Sequence, residues 1–420
     1  MRKIKNIVIL AGGDSTRFWP LSEKNLSSFL GRPLITYLIN DLKNYGENIF
    51  IVTSKTNKQS FDSLFNKKIK TIVQDQSKPG MAGAVLTCKR EVNGEVLILN
   101  ANDLLDFKIM LKFVDYLNNR KSRLVLLAKK VDKYFPGGYL QLKGKNVIGI
   151  VEKPAPDKTP SDVVKLTFDY LDDFKKLINV LESLQIVSDN AYEKGLTELI
   201  KKDGGADYLV YKDYWYTLKY PWHLLQMMSF FLSTIKKTKI NLSVKISNKA
   251  VIIGPVYLGK NVKVGDFSKI VGPCYIGDDT VVADYCLIRE SHIGKGCLIG
   301  SYTEVARSYL GDNVILHRNY IGDSILDNGV EMGAQTVTAN FRFDKRTIYS
   351  MVNGHKVDSN MVKLGAIIGR GSKIGVNSSI LPGVKIGKNS LIGPKEVVTG
   401  DIDDNMFVFL GKAIKNKIQK

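Results

Sequence analysis

The sequence predicts an α/β domain with a mostly parallel sheet, followed by a left-handed parallel β-helix. Two patterns and the chain length lead to this fold class. In residues 1 to about 240, short aliphatic runs alternate with helical patterns, which is typical of a parallel sheet. In residues 241–400, aliphatic side chains recur every six positions, a period that fits neither a helix nor an alternating strand. At 420 residues, the chain is also too long for one ordinary core.

The first domain is predicted to consist of buried strands with helices between them. Its strands are predicted at Ile7–Leu10, Ile49–Val52, Thr71–Val73, Val96–Leu99 and Leu124–Leu127. Helices are predicted over Pro33–Tyr45 and Lys108–Asn119, and apolar spacing predicts another over residues 222–233. In such domains, ligands bind at the carboxyl ends of the strands.

The six-residue repeat predicts stacked coils of three short strands, with one aliphatic side chain of each strand inside. Such prisms commonly assemble as trimers and often carry acyl transfer. The repeat is interrupted over Ala339–Leu364, and a loop that leaves a solenoid is a usual place for ligand contact. Residues 401–420 form a tail, in which a capping helix is predicted over Asn405–Lys420. The repeated positions are Leu258, Val264, Ile270, Ile276, Val282 and Ile288, then Ile368, Ile374, Ile380, Ile386, Ile392 and Val398.

The composition favours an anionic ligand in a reducing compartment. The net charge of +20 suits nucleotides, sugar phosphates or coenzyme A. Nucleic acid is disfavoured because the basic residues are scattered and no recognition motif is present. The four cysteines show no CxxC spacing, so buried reduced thiols are expected. No run approaches the ~20 apolar residues that span a membrane, and a cytoplasmic protein is predicted.

A glycine-containing segment comes at the end of the first predicted strand, and basic residues follow it. Leu10-Ala11-Gly12-Gly13 can turn backbone N–H groups toward phosphate oxygens, although a plain tight turn fits the glycines equally well. The string from Leu10 to Arg17, followed by Lys24 and then Gly31-Arg32-Pro33, resembles the sugar-1-phosphate nucleotidyltransferase family. The resemblance implies that Arg17 and Lys24 hold the phosphates of a nucleoside triphosphate while a sugar phosphate oxygen attacks the α-phosphorus.

Further segments match that family in chain order and imply the rest of its site. The resemblance assigns base reading to Gln74 and Gly80, and magnesium binding to Asp103 in Asn100-Ala-Asn-Asp103. Trp215–Trp222 resembles the closing segment of the family. The same resemblance implies sugar and phosphate contacts for Gly138, Glu152 and Lys153.

The chain also departs from the family pattern at several positions. Asn102 aligns best with the usual metal-binding Asp, which leaves Asp103 as a neighbour that can substitute, and Thr217 replaces the second Asp. Because two carboxylates usually hold magnesium, nucleotidyl transfer and a decayed domain that keeps only the fold both remain open. The other departures are Glu23 in place of a Pro, Met81 in place of a Thr, and no Asn near Val164–Thr167.

The strongest motif of the second half runs from His317 to Asn340. It resembles the H-x-x-Y-x-G-D…G-A-G-T-x-T-x-N stretch of the bifunctional GlmU family, in its archaeal form. The resemblance implies that His317 is the general base that deprotonates a sugar amine as it attacks the thioester of acetyl-CoA. It also implies sugar binding by Tyr320 and Asn340, and we infer from its nearness in sequence that Arg342 holds the sugar phosphate. Asp323 is expected only to form a coil corner.

The sequence therefore favours a bifunctional, magnesium-dependent enzyme that assembles as a homotrimer. Its substrates would be a nucleoside triphosphate, a sugar 1-phosphate and acetyl-CoA. Two alternatives stay open at this point: a nucleotidyltransferase whose β-helix is only structural, and a catalytically inactive regulatory or scaffold homologue.

Overall fold

The computed structural model describes residues 2–13, 15–21, 23–65, 69–184 and 190–415. Asp14 of the predicted phosphate-binding string lies outside the described residues. The chain divides into two compact units, here called unit 1 and unit 2. Unit 1 consists of Met1–Asp14 and Ile35–Tyr216, and unit 2 of Ser15–Leu34 and Thr217–Lys420.

Unit 1 is built on a nine-stranded sheet. Val96–Asn100, Ile4–Ala11, Gly46–Thr53 and Ile69–Val73 lie parallel, in that order. Val163–Leu171 adds to Val96–Asn100 in the antiparallel direction. The α/β class with a mostly parallel sheet is confirmed, with this antiparallel addition at one side. The remaining strands are Leu124–Lys130, Gly138–Lys143, Asn146–Glu152 and Asp207–Val210.

Helices cover the sheet of unit 1, so its central strands are buried on both faces. Seven of the eight residues of Ile4–Ala11 are buried, as expected for a near-continuous aliphatic strand in a parallel sheet. Both predicted helices are confirmed with slightly shorter bounds, Leu34–Leu42 and Ile109–Asn118. The other α-helices described in unit 1 are Lys58–Leu64, Gly80–Thr87, Phe174–Ser183 and Ala191–Asp203. A short sheet pairs Asp103–Leu105 with Trp215–Thr217, and single 3-10 turns occur at Cys88–Arg90 and Pro156–Lys158.

Unit 2 is a left-handed parallel β-helix with three sheets, as the six-residue repeat predicts. The first sheet contains Lys239–Ile240, Val256–Leu258, Cys274–Ile276, His292–Ile293, Tyr309–Leu310, Ile325–Leu326, Ile367–Ile368 and Lys385–Ile386. The second contains Lys245–Ile246, Lys263–Val264, Val281–Val282, Leu298–Ile299, Ile315–Leu316, Glu331–Met332, Lys373–Ile374, Leu391–Ile392, Met406–Phe409 and Lys412–Lys415. The third contains Val251–Ile253, Lys269–Val271, Leu287–Arg289, Glu304–Ala306, Tyr320–Gly322, Val337–Thr338, Ser379–Ile380 and Val397–Val398.

The repeated aliphatic residues fill the axis of this coil. Leu258 pairs in register with Ile276 of the next coil, and both are no more than 1% exposed. Many corner residues take positive φ, among them Asn261 and Asn313, because Asn tolerates the left-handed region that the corners need. The predicted interruption is confirmed: an antiparallel hairpin of Tyr349–Val352 and His355–Asp358 leaves the coil there.

The other elements of unit 2 precede the coil in sequence. Helix His223–Ser233 is confirmed close to its predicted bounds. The segment Ser15–Leu34 contributes 3-10 turns Thr16–Phe18 and Lys24–Leu26. It also contributes a small hairpin of Ser28–Phe29 and Arg32–Pro33.

The predicted C-terminal helix over Asn405–Lys420 is wrong for the described part of that segment. Met406–Phe409 extends the second sheet of the coil in parallel, and Lys412–Lys415 turns back onto it. An open coil edge presents unpaired backbone groups, and strand pairing satisfies them where a helix would not. Residues 416–420 lie outside the described range.

All four cysteines are buried free thiols, as predicted. No helix in the described part of the chain is long and apolar enough to cross a membrane.

Candidate active sites

The predicted phosphate-binding string of unit 1 lies at the carboxyl ends of the parallel strands. Leu10 pairs with Asn100 of the neighbouring strand, and its carbonyl accepts a hydrogen bond from the Ala101 N–H at 3.1 Å. Leu10, Ala11 and Gly12 are buried, whereas Gly13 is exposed. The string therefore ends at the surface of the edge where ligands of α/β sheets bind.

Gln74 and Gly80 converge on this string. The Gln74 side chain lies against Gly12, since a Cβ on Gly12 would stand 2.4 Å from Gln74 Oε1. The Gln74 Nε2 atom donates to the carbonyl oxygens of Lys78 and Gly80, both at 3.1 Å. Gly80 has a φ of +74°, which favours glycine. These contacts leave the amide oxygen of Gln74 beside the backbone of Gly12.

Asp103 follows the next strand at the same edge and is half-buried. The described residues contain no cluster of three or more His, Cys, Asp or Glu side chains arranged to hold a metal. Mg²⁺ is commonly bound by one or two carboxylates together with substrate phosphates. One carboxylate with the amide of Asn102 fits a magnesium ion that arrives with a nucleotide, rather than one held by the protein alone.

The predicted sugar-contacting residues lie at the same edge of the sheet. Val163–Leu171 runs antiparallel to Val96–Asn100, so Val164 lies beyond the carboxyl end of that strand, where it pairs with Tyr139. Gly138 pairs with Glu152, and a Cβ on Gly138 would stand 3.0 Å from Glu152 Oε2. Lys153 Nζ lies 3.3 Å from Glu152 Oε1. Gly138, Glu152 and Lys153 are thus brought together.

A buried charged cluster that the sequence patterns do not predict adjoins Gly138. Lys165 Nζ contacts Asp169 Oδ2 at 2.8 Å, and both side chains are almost fully buried. The Tyr192 hydroxyl donates to the same oxygen at 2.9 Å. Glu193 lies beyond, where a Cβ on Gly138 would stand 3.8 Å from its Cγ. Helix spacing and strand alternation in the sequence did not reveal that these groups meet.

Burial sets the protonation of this cluster. It raises the pKa of Glu193 to about 7, and the Glu152 carboxylate adds to the rise. Burial alone would lower the pKa of Lys165, but the carboxylates of Asp169 and Glu193 raise it above its ordinary value. The carboxyl next to Gly138 therefore titrates near neutral pH, and the same cluster holds a buried ammonium.

Arg17 and Lys24, the predicted phosphate-binding cations, both lie in the Ser15–Leu34 segment of unit 2. Arg17 is in the turn Thr16–Phe18 and its side chain is exposed. Lys24 begins the turn Lys24–Leu26, where the Glu23 side chain accepts a hydrogen bond from the Asn25 N–H at 3.4 Å.

His317, the predicted general base, lies at an exposed position of the coil. Its backbone N–H donates to Asn319 Oδ1 at 2.5 Å. Asn319 is buried and donates onward to the carbonyl oxygens of Gly333 and Thr336, at 2.8 and 2.9 Å. The backbone that carries the imidazole is therefore fixed to the following coil, while the imidazole itself faces solvent in the single chain.

Tyr320, three residues after His317, meets Asn340 of the following coil at a polar corner. Asn340 Nδ2 lies 3.3 Å from the Tyr320 hydroxyl and 2.5 Å from Asp323 Oδ2. Asp323 also accepts two hydrogen bonds of 2.7 Å from the Arg307 guanidinium. The carboxylate of Asp323, expected only to form a coil corner, thus orders Asn340 and Arg307.

Arg342 does not join this corner through any contact described here. Its guanidinium forms a bidentate pair with Asp344 in the loop, at 2.9 and 2.5 Å, and the side chain is exposed. Arg307 is the guanidinium that the fold places beside Tyr320 and Asn340.

Comparison with known protein families agrees with both halves of this description. The nucleotidyl transferase family model matches residues 6–217. A model of the GMPPB C-terminal domain matches residues 234–346, and the bacterial transferase hexapeptide model matches residues 365–399.

Curated archaeal proteins match along almost the whole chain. The bifunctional protein GlmU of Methanococcus vannielii is 34% identical over 416 residues, which cover 96% of this chain and 97% of that protein. The bifunctional protein GlmU of Methanococcus maripaludis strain C5 is 35% identical over 413 residues, with 96% of each chain covered. The bifunctional sugar-1-phosphate nucleotidylyltransferase/acetyltransferase of Sulfurisphaera tokodaii is 30% identical over 407 residues, which cover 94% of this chain and 97% of that protein. Identity at this level over the full length shows that the chain belongs to the family of bifunctional GlmU-type sugar-1-phosphate nucleotidylyltransferase/acetyltransferases.

Proposed function

We propose that this protein transfers a nucleotidyl group to a sugar 1-phosphate and an acetyl group to an amino-sugar 1-phosphate. The observation that carries the proposal is that the residues predicted for each reaction converge separately. Gly12, Gln74 and Gly80 meet at one edge of the sheet, and Tyr320 and Asn340 meet at one corner of the coil. The full-length similarity to proteins named for both activities supports it.

In the nucleotidyl transfer, an oxygen of the sugar phosphate attacks the α-phosphorus of the nucleoside triphosphate. The new O–Pα bond forms as the bond to the β-phosphate breaks, and pyrophosphate leaves. Backbone N–H groups of Leu10-Ala11-Gly12-Gly13 hold phosphate oxygens, and Arg17 and Lys24 neutralise the charge of the triphosphate. Catalysis of this kind depends on positioning and on charge stabilisation.

Other residues of unit 1 would bind the two substrates and a metal. Gln74 and Gly80 contact the base, and Gly138, Glu152 and Lys153 contact the sugar phosphate. Asp103 would hold Mg²⁺, which supplies charge neutralisation on the phosphates when bound.

In the acetyl transfer, the amine of the amino sugar attacks the thioester carbonyl of acetyl-CoA. His317 accepts the amine proton, the C–S bond breaks, and coenzyme A leaves as the thiol once its sulfur is protonated. An imidazole suits this role because its ordinary pKa is near 6.5. Tyr320 and Asn340 hold the sugar, and Arg307 or Arg342 its phosphate.

We propose that the protein is a cytoplasmic homotrimer in which a second copy covers His317. The exposed position of His317 in the single chain supports this assembly, because a general base works in a site sheltered from water. Four buried free thiols suit a reducing compartment. Light scattering should give a mass of about three times the 46.9 kDa chain.

The experiment that tests the proposal offers glucosamine 1-phosphate and acetyl-CoA, and follows free thiol. A second assay offers each nucleoside triphosphate with a sugar 1-phosphate, and follows pyrophosphate. We expect both products. Thiol without pyrophosphate would support a second candidate, an acetyltransferase with an inactive first unit, which Asn102 and Thr217 in place of the family's metal-binding Asp residues favour.

A further inference from the structure

The segment Ser15–Leu34 is attached to the β-helix at two separate points. The first is Trp19, whose indole Nε1 donates to Asp404 Oδ1 at 2.8 Å. The same oxygen accepts the backbone N–H of Lys388 at 2.8 Å, so the coil itself orients the Asp404 carboxylate. The coil therefore positions the carboxylate that accepts the indole N–H.

Two further contacts of the coil support Trp19 and its neighbour. The Lys385 ammonium lies 4.8 Å from the centroid of the Trp19 ring, a cation–π arrangement. The Lys385 side chain is only 4% exposed and lies 3.3 Å from Asp401, so its position is constrained. The backbone approaches equally closely, since a Cβ on Gly369 would stand 3.1 Å from the Pro20 carbonyl oxygen.

The second attachment point is Ser28. The Tyr309 hydroxyl donates to the Ser28 carbonyl at 2.9 Å and lies 3.2 Å from the Ser28 N–H, from which it accepts. Phe29 is fully buried, stacked on Phe231 at a centroid distance of 4.7 Å. At Gly31 a Cβ would stand 2.4 Å from the Tyr275 hydroxyl, so the hairpin lies directly on the face of the coil.

Lys24 lies between these two points, five residues after Trp19 and four before Ser28, and Arg17 lies two residues before Trp19. A displacement of about 1 Å in a group that positions a substrate can cost about 10²-fold in rate. Attachment at both points restricts where the described residues near them, Arg17 and Lys24 included, can lie.

We propose that Trp19, Asp404 and Tyr309 are positioning residues for nucleotidyl transfer, which hold the cations Arg17 and Lys24 in place from the β-helix. The inference rests on the proposed function of Arg17 and Lys24. It assigns the β-helix a part in the first reaction, in addition to acetyl transfer.

The test uses the full-length protein with Trp19→Phe, Tyr309→Phe and Asp404→Asn. Trp19→Phe keeps a ring above Lys385 but removes the indole donor, and Tyr309→Phe removes only the hydroxyl. We expect each of these two substitutions to lower kcat for pyrophosphate release about tenfold or more. KM should change little, and thiol release should stay within about twofold of the wild type. Asp404→Asn keeps an acceptor oxygen and should retain most of the activity. Tyr285→Phe, the same chemical change at an exposed position of the coil, is the matched control.

Amide hydrogen exchange gives a second reading that does not depend on turnover. The Ser28 amide should exchange at least about tenfold faster in Tyr309→Phe than in Tyr285→Phe, because the protecting hydroxyl is gone. If Trp19→Phe and Tyr309→Phe leave the kcat of an active enzyme unchanged, or if exchange at Ser28 is unchanged in Tyr309→Phe, this inference is overturned and the proposed function still stands. A wild-type protein that releases no pyrophosphate would overturn the proposed function and this inference together.

Discussion

Gln74 occupies the space above Gly12: a Cβ on that glycine would stand 2.4 Å from Gln74 Oε1 and 3.2 Å from Gln74 Cβ. The requirement for glycine here is steric, and φ of Gly12 is not in the left-handed region. The residue that we propose to read the base is therefore seated against the residue that we propose to hold a phosphate.

The substitution Gly12→Ala should displace the Gln74 side chain and weaken nucleotide recognition. We expect an overpacking cost of about 1–3 kcal/mol in the free energy of unfolding. The kcat/KM for the preferred triphosphate should fall, and discrimination between triphosphates should narrow. The double variant Gly12→Ala/Gln74→Ala separates these effects, because it relieves the clash without restoring the amide. Full discrimination in the double variant would contradict a base-reading role for Gln74.

The buried pair of Lys165 and Asp169 should be far more sensitive to substitution than a surface pair of the same length. Asp169→Asn removes the carboxylate that contacts this buried ammonium, and we expect a loss of about 3–5 kcal/mol in the free energy of unfolding. Lys89 and Glu182 are also 2.8 Å apart but are nearly half exposed. Glu182→Gln should leave the free energy of unfolding close to that of the wild type, because solvent screens this pair. Equal losses in urea unfolding would show that burial does not govern the Lys165 pair.

His292 should make the stability of the coil depend on pH. Its ring is stacked between Tyr275 and Tyr309, at centroid distances of 4.8 Å on each side, and neither ring nitrogen has a hydrogen-bond partner among the described residues. Burial lowers the pKa of His292 to about 4, whereas an unfolded chain has about 6.5. Between these values the unfolded chain binds more protons, so stability should fall as the pH is lowered from 6.5 to 4, by about 1.4 kcal/mol per pH unit at most.

The variant His292→Phe tests this dependence, since a phenyl ring keeps the stack but cannot titrate. Thermal unfolding between pH 4 and 8 should show a flatter pH profile than that of the wild type. The exposed His355 offers the control, and His355→Gln should retain the wild-type profile. An unchanged profile in His292→Phe would assign the dependence to other groups.

Asp323 should matter for acetyl transfer although it touches no predicted reacting atom. It is 6% exposed and holds both Asn340 and Arg307. Asp323→Ala releases both side chains, and we expect KM for the amino-sugar phosphate to rise about tenfold or more, because positioning contacts are lost. Pyrophosphate release should stay unchanged. If KM is unaltered and only thermal stability falls, Asp323 is a structural residue alone.

The coil was predictable because its determinant is local in sequence. An aliphatic residue every six positions can fill the axis of a three-sided coil, and Leu258 and Ile276 do so. The strands and helices around Leu10 were predictable for the same reason, since each has its own run or period. The hairpin after residue 405 was not predictable, because Phe407 pairs with Leu391 of the preceding coil rather than with a near neighbour.

The contacts within the polar clusters could not be predicted from the sequence, for a related physical reason. Arg307 and Asp323 are 16 residues apart and meet only because one coil stacks on the next. Lys165 and Asp169 are close in sequence, yet they meet through an irregularity in the pairing of their strand. The resemblance indicated Tyr320 and Asn340, but it gave no role to the charged residues that hold them.

The most direct test of two separate activities in one chain compares His317→Asn with Lys24→Met in both assays. We predict that His317→Asn lowers thiol release about 10²-fold or more and leaves pyrophosphate release intact, because a general base contributes about 10²–10⁴-fold. Lys24→Met should have the opposite pattern. Thiol release that survives His317→Asn unchanged would contradict the account.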